Sequence, residues 1–280
     1  MSITEPGIYV MSNKDYHADP IEGGSLSSTG AKKLSTKTPA HFKWDMDHPV
    51  HKDTFDFGTA AHSLILEGDN SGIVIVNADS WRTKAAQEQR DAAHAHGKTP
   101  MLIKDYEQVE AMAEQIKNHP DAMTLLSDGK PELSGFWQHE TGIWLRVRFD
   151  WLPNHRGPGL ILSDYKTAVS ADPIKFAKAC ADLGYHQQAA WYIDAAVAFG
   201  LSPDPAFAFI VQEKTAPYLV NVIELDTKAI DLGRAQNEKA IRLYQDCKTA
   251  NRWPGYPLSE PIPLPRYAEY QIEEQLEGAA

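Results

Sequence analysis

The chain has 280 residues, of which 42% are hydrophobic and 23% are charged. This is the composition of a folded globular protein, and it excludes wholesale disorder. The formal net charge of -11 argues against non-specific attraction to a polyanion, because lysine and arginine normally drive phosphate binding. With only Cys180 and Cys247, one chain can form neither a disulfide framework nor a four-cysteine metal site, so we expect two buried, inert thiols.

The length fits one domain over residues 1–280. Within it, we expect residues 1–53 to form a helical, turn-rich part and residues 253–280 to form a C-terminal extension. No segment approaches about 18 continuous apolar residues, and the first residues lack the pattern of a signal peptide. We therefore expect a cytoplasmic protein with no membrane partner.

Helices dominate the first half of the chain. A serine pair at 27–28 is expected to cap a short helix that runs to about Leu34. The segment from Phe55 to Glu67 is helical by composition and is closed by Gly68, and on it His62 shares a face with apolar residues. Two polar helices are expected next, at about 80–95 and 105–118.

Strand patterns begin after Pro131. Residues 132–139 and 142–151 alternate with period two, and Thr141-Gly142 between them is typical of a hairpin turn. In the second strand Arg146, Arg148 and Asp150 share the polar face. Residues 160–166 form the next expected strand.

The rest of the chain alternates between helices and strands. We expect a helix at about 183–199, strands at 206–212 and 218–224, and a helix at about 227–248. The order of helices, three strands, helix, two strands and helix predicts an α/β (α+β) fold, in which helices flank a central mixed sheet.

Asp150, Asp164 and Lys166 form the sharpest candidate site. Asp164 and Lys166 are two residues apart on one strand, so both point to the same side. Carboxylates from two neighbouring strands can bind one hard cation, and an adjacent lysine can stabilise charge that develops on a phosphate. The alternative is an ordinary surface ion pair. Against it, the strand is apolar and expected to be central, where an unpaired carboxylate is costly.

Other polar residues have weaker patterns. Gln188 and Tyr192 lie one helical turn apart and project together, although by pattern alone Tyr192 belongs to the core. His62 alone is a packing residue more often than a metal ligand. Glu132 is interpreted as structural.

A resemblance to a known family follows from motif order. The chain contains Gly58-Thr-Ala-Ala-His62, Asp150 on a strand, Asp164-Tyr-Lys-Thr167 and Gln188-Ala-Ala-Trp-Tyr192. This ordered set resembles the RecB-like nucleases of the PD-(D/E)xK superfamily. The most similar branch is the RecE type, exodeoxyribonuclease VIII and its phage relatives. The similarity extends over almost the whole chain, through segments at 16–17, 35–41, 213–218 and 253–256.

The resemblance implies a restriction-endonuclease-like core and a role for each matched residue. His62 would replace the usual acidic ligand and would bind magnesium together with Asp150, Asp164 and the backbone carbonyl of Tyr165. Lys166 would be the catalytic lysine. Gln188 and Tyr192 would support the site or contact the DNA backbone. Because imidazole suits manganese better than magnesium, Mn²⁺ is expected to substitute for Mg²⁺.

The resemblance also implies an activity and partners. These are 5′ to 3′ digestion of linear double-stranded DNA, a homo-oligomeric ring around the DNA, and a single-strand annealing protein in recombination in a bacterium or phage-infected host. A basic channel would reconcile the ring with the acidic charge, and Arg146 and Arg148 are candidate phosphate contacts. The alternatives are a nuclease of other polarity, an endonuclease, and a non-catalytic DNA-binding protein of the same fold.

Overall fold

The computed structural model describes residues 2–48, 54–68, 70–257 and 261–277. The strands in these ranges are β1 (Gly7–Tyr9), β2 (Leu26–Ser27), β3 (Ile73–Val76), β4 (Thr99–Leu102), β5 (Gly129–Gln138), β6 (Trp144–Pro153), β7 (Ile161–Ala168), β8 (Ala206–Glu213) and β9 (Val220–Glu224). The helices are α1 (Asn13–His17), α2 (Ser28–Thr36), α3 (Pro39–Asp47), α4 (Thr54–His62), α5 (Lys84–Ala95), α6 (Ile103–Lys117), α7 (Pro120–Leu125), α8 (Pro173–Leu183), α9 (Tyr185–Ala198), α10 (Thr227–Thr249) and α11 (Arg266–Glu277). A π-helical turn, Ser63–Glu67, continues α4.

A seven-stranded mixed sheet forms the centre of the fold. Its order is β1-β5-β6-β7-β8-β9, and β2 pairs with β6. The β7–β8 and β2–β6 pairs are parallel, whereas the other neighbours are antiparallel. A separate two-stranded parallel sheet joins β3 to β4. The predicted central mixed sheet flanked by helices is therefore confirmed.

Helices bury both faces of this sheet. On one face Phe207, Phe209 and Val211 of β8 belong to the main core, which includes buried residues of α2, α9 and α10. On the other face Tyr165 and Ile210 join buried residues of α4, α6 and α7. Because both faces of β8 are covered, this strand reads as a nearly continuous apolar run.

Two glycines allow α9 to take its position. Gly184 adopts a left-handed φ of 66° and ends α8 one residue before α9 begins, a conformation that favours glycine. Gly233 lets α10 lie against α9, since a Cβ there would meet the His186 carbonyl oxygen at 2.3 Å. Both glycines therefore help to fix the helix that carries Gln188 and Tyr192.

The sequence missed several short elements. Residues 1–53 contain β1 and β2 in addition to helices, and the predicted helix at 183–199 is preceded by a separate helix, α8. Strands β3 and β4 and helix α7 were not predicted either. Parts of the predicted N-terminal and C-terminal segments lie outside the described residues, at 1, 49–53, 258–260 and 278–280. The single-domain assignment stays a prediction.

Two predictions from composition remain, on the state of the cysteines and on membrane-spanning segments. Cys180 and Cys247 are both free and buried, as predicted. Within the part of the chain that the structure describes, no helix has the length and apolar character needed to cross a membrane.

Candidate active site

The site lies at a fork between β6 and β7, which pair at Trp151 and Ser163. Leu145, Val147, Phe149 and also Leu152 belong to the main core, so the two-residue alternation of β6 breaks around Asp150. At this break Asp150 Oδ2 accepts a hydrogen bond from the backbone N–H of Tyr165, at 3.1 Å. The Asp150 side chain therefore bridges the fork in place of a strand-to-strand hydrogen bond.

Side chains of α9 satisfy backbone carbonyls of β6 near the fork. Trp191 Nε1 donates to the carbonyl of Arg146 at 3.0 Å, and the Tyr192 hydroxyl donates to the carbonyl of Arg148 at 2.6 Å. Tyr192 is only 7% exposed, and its ring packs edge-on against Phe149. Tyr192 therefore positions the strand that carries Asp150, which fits the predicted supporting role.

Three side chains gather beside the fork as a His–Glu–Asp cluster, made of His62, Glu132 and Asp150. His62 Nδ1 lies 3.6 Å from Asp150 Oδ2 and 3.8 Å from Glu132 Oε1. One ligand atom from each residue lies within 4.8 Å of the other two. Two carboxylates and an imidazole, all partly exposed, are a donor set that suits a divalent cation, so the residues fit the implied metal.

Glu132 is the member of this cluster that the sequence interpretation treated as structural. It has a left-handed φ of 56°, a conformation that is uncommon for a residue with a Cβ and that concentrates at functional sites. Its Oε2 accepts from Arg148 Nε at 2.5 Å, which leaves Oε1 toward His62. The pairs Pro131–Trp151 and Leu133–Phe149 place Glu132 directly opposite Asp150.

The turn between β5 and β6 sets the side of the sheet on which Glu132 lies. A two-residue turn at Thr141-Gly142 would pair Glu132 with Trp151 and put it on the other face from Asp150. The observed turn has three residues, because the N–H of His139 bonds to the carbonyl of Ile143. Gly142, with φ of 80°, takes the left-handed position that closes such a turn. The register shifts by one residue, and Glu132 moves to the Asp150 side.

Asp164 and Lys166 form a second group next to the cluster. Lys166 Nζ lies 2.5 Å from Asp164 Oδ2, and Gln188 Nε2 donates to Asp164 Oδ1 at 2.5 Å. Asp164 is 1% exposed, so the lysine and the amide hold a carboxylate that water hardly reaches. The geometry brings Asp164 and Lys166 together, as their spacing predicted, and Gln188 joins them from α9.

The electrostatics of the two groups are linked. Burial and, after it, the negative charge of Asp164 together raise the pKa of Asp150 to about 7. Burial alone would lower the pKa of His62, but the carboxylates of Asp150 and Glu132 outweigh it and raise that pKa. Burial would also lower the pKa of Lys166, which the Asp164 and Asp150 carboxylates instead raise. A cation between the carboxylates would relieve their repulsion.

Lys32 adds a second ammonium group near Lys166. The Nζ atoms of Lys32 and Lys166 lie 5.7 and 5.3 Å from the centre of the Tyr185 ring. Burial and, after it, the positive charge of Lys166 together lower the pKa of Lys32 to about 8. Two ammonium groups, those of Lys32 and Lys166, therefore lie near the buried carboxylate of Asp164.

The other predicted site residues have different surroundings. Of the predicted metal ligands, His62 and Asp150 belong to the His–Glu–Asp cluster and Asp164 does not. Glu132 is the third member of the cluster. The carbonyl of Tyr165 is expected to face the fork, since the N–H and C=O of one strand residue point to the same edge. The backbone of Tyr165, rather than its side chain, therefore lies beside the cluster.

Arg146 and Arg148, the predicted phosphate contacts, bind other residues of the protein. Arg146 forms an ion pair with Asp19, and Arg148 binds Glu132 and Ser134. Each side chain is only 14% exposed. This placement favours a structural role for both arginines over contact with DNA.

Comparisons with known proteins concern the family and the fold of the chain. The profile of the family described as "PDDEXK-like domain of unknown function (DUF3799)" matches residues 27–262. A crystal structure from Eubacterium rectale, described as that of a "Putative exonuclease", has a TM-score of 0.61 at 13% identity, covering 90% of this chain and 97% of its own. The crystal structure of SSO0001 also matches at 13% identity, covering 71% of this chain and 85% of its own, but its TM-score of 0.29 supports no argument. No curated protein matches the chain.

The family match spans most of the chain and includes every residue of both site groups. The PDDEXK-like description of the family supports a nuclease, and the likeness to the Eubacterium rectale protein agrees with the fold. The chain belongs to the PDDEXK-like family DUF3799.

Proposed function

We propose that this protein is a metal-dependent exodeoxyribonuclease that digests linear double-stranded DNA from 5′ to 3′. The observation that carries the proposal is the His–Glu–Asp cluster next to the buried Asp164–Lys166 pair. One group offers ligands for a divalent cation, and the other offers a fixed ammonium for a phosphate. Phosphodiester hydrolysis needs both kinds of group, since charge develops on the phosphate oxygens as the bond breaks.

His62, Glu132 and Asp150 would hold the metal. When bound, the metal supplies Lewis-acid polarisation of the phosphate and lowers the pKa of a bound water. Mg²⁺ is the proposed ion by resemblance, and the histidine in the ligand set favours good activity with Mn²⁺ as well.

The protein residues would divide the remaining work. Lys166 would bind and orient the phosphate through its ammonium group, which Asp164 holds in place. Gln188 would position Asp164 through its hydrogen bond, and Tyr192 would position β6 and thereby Asp150. Gln188 and Tyr192 are thus positioning residues, and Lys166 is the catalytic one.

The biological setting extends the proposal. Digestion from 5′ ends would expose a 3′ single strand for an annealing protein in recombination, within the cytoplasm of a bacterium or a phage-infected host. A homo-oligomeric ring around the DNA would concentrate positive charge in its channel, which suits a chain of net charge -11.

The test is a time course on linear duplex DNA that is labelled separately at the two 5′ ends and the two 3′ ends. With Mg²⁺ or Mn²⁺ we expect early release of the 5′ label, late release of the 3′ label, and no release in a chelator. Covalently closed circular DNA should stay intact. Early release of the 3′ label would contradict the polarity, and cleavage of the closed circle would contradict the need for an end.

A further inference from the structure

A cavity of about 290 Å³ opens next to Lys166. The end of β7 and the residues after it form one wall, α8 forms another, and the start of α9 closes it. The lining residues are Lys166, Thr167, Ala168, Val169, Ser170, Lys175, Phe176, Ala179, Leu183, Tyr185 and Lys214. The cavity therefore shares the catalytic lysine with the proposed site but extends beyond it.

The charge of this cavity is opposite to that of the chain. Lys166, Lys175 and Lys214 line it, and none of the described residues that line it is acidic. The charge of Lys166 is paired with Asp164, but Lys175 and Lys214 have no acidic residue in the lining and give the cavity a local positive charge in a chain of net charge -11. Such a charge attracts an anion, and a phosphate group is the anion that a nuclease substrate supplies.

Apart from Thr167 and Ser170, the rest of the lining is apolar or aromatic. Phe176 is only 1% exposed and stacks against Tyr185 with the ring centres 5.8 Å apart, so Tyr185 is the partly open aromatic ring, and Ala179 and Leu183 continue the same surface. A surface of this kind suits the sugar and the base of a nucleotide, since every base has a face that can pack on an aromatic or apolar side chain.

We propose that this cavity is a subsite for one nucleotide of the substrate strand, next to the phosphate that is cleaved. The inference rests on the proposed nuclease function and names a part of the substrate that the His–Glu–Asp cluster does not contact. Lys175 and Lys214 bind the phosphate of that nucleotide, and the apolar wall contacts its sugar and base. The volume, near the lower limit for small-ligand sites, admits one nucleotide and excludes a duplex.

Matched substitutions on α8 test the subsite. Ala179 is half-buried and lines the cavity, whereas Ala177 is exposed on the same helix and does not. Ala179→Trp fills the cavity, and Ala177→Trp adds the same side chain outside it. Lys175→Ala removes a lining lysine, and Lys178→Ala removes an exposed lysine that is not part of the lining.

The readouts are equilibrium binding and steady-state kinetics. Binding of a fluorescent oligodeoxynucleotide is measured by anisotropy with Ca²⁺ in place of Mg²⁺, and digestion is measured with Mg²⁺. We expect Ala179→Trp and Lys175→Ala to bind about tenfold more weakly and to raise KM, because stacking or phosphate contacts are lost. The two control variants should bind within about twofold of the wild type. Thermal melting of all four variants checks that each is folded.

The outcomes distinguish failure of the subsite proposal from failure of the proposed nuclease function. If the wild type digests DNA and the cavity variants bind like their controls, the subsite is refuted and the nuclease proposal stands. If only Lys175→Ala weakens binding, the region is an open electrostatic surface, and the subsite is again refuted. If the wild type neither binds nor digests DNA with any of the metals, the proposed function itself is overturned.

Discussion

Lys166→Met should remove catalysis and also destabilise the protein. Lys166 is the partner of a carboxylate whose side chain is 0% exposed, and the ion pair spans 2.5 Å. Breaking a buried pair from one side costs about 3–5 kcal/mol. The lower figure applies here, because Gln188 still donates a hydrogen bond to Asp164. We therefore expect a loss of about 3 kcal/mol in the free energy of unfolding.

The effect on the reaction has a different size and origin. Removing one positioned donor to a developing negative charge typically lowers kcat by about 10²- to 10³-fold, so we expect a decrease of at least that size for Lys166→Met. The double variant Asp164→Asn/Lys166→Met removes both charges and should recover most of the lost stability, to within about 1 kcal/mol of the wild type. It should remain inactive.

Urea unfolding, followed by tryptophan fluorescence, measures the stabilities, and release of nucleotides from linear duplex DNA measures activity. The seven tryptophans of the chain provide the signal. Lys178→Met on the exposed side of α8 is the control, with little change expected in either measurement. The reasoning is refuted if Lys166→Met keeps wild-type activity, or if the double variant regains activity along with its stability.

Three further predictions concern the cluster and its support. Glu132→Gln should weaken Mn²⁺ binding by at least about tenfold in calorimetry, whereas Glu140→Gln at the exposed turn should not; equal affinities would remove Glu132 from the ligand set. Tyr192→Phe should cost about 1–3 kcal/mol in urea unfolding, because the carbonyl of Arg148 loses its partner; an unchanged midpoint would contradict that role. The folded-state pKa of Asp150 is raised to about 7, so its protonated form contributes stability that is present at low pH and lost as the pH rises through about 7. Metal binding needs the ionised carboxylate, so the increase in Tm that Mn²⁺ gives should grow from pH 5.5 to pH 8, and a pH-independent increase would count against the site.

Periodicity predicted the long strands and helices because each buries a regular face. Strands β5 and β6 follow a period-two pattern, β8 follows an apolar run, and helix α9 follows a helical pattern. Strands β1 and β2 have only three and two residues and exist through pairing with β5 and β6, so no local pattern marks them. Helix α8 did have a local signal, since Asp172 caps it and Pro173 begins it.

The candidate site was predictable where it depends on local spacing. Asp164 and Lys166 meet because they are two residues apart on one strand, and Gln188 reaches Asp164 from α9. Glu132 was not predictable from the assumed turn, because its side depends on one residue of register at a distant hairpin. The ion pair between Arg148 and Glu132 depends on the same register.

The central claim is that this chain hydrolyses DNA through the His–Glu–Asp cluster and Lys166. The most direct measurement compares nucleotide release from linear duplex DNA by the wild type and by Asp150→Asn, with Mn²⁺ or Mg²⁺ and with a chelator. The account predicts release by the wild type only with metal, and a loss of at least about 10³-fold in the variant. Metal-independent release, or an Asp150→Asn variant as active as the wild type, would contradict it.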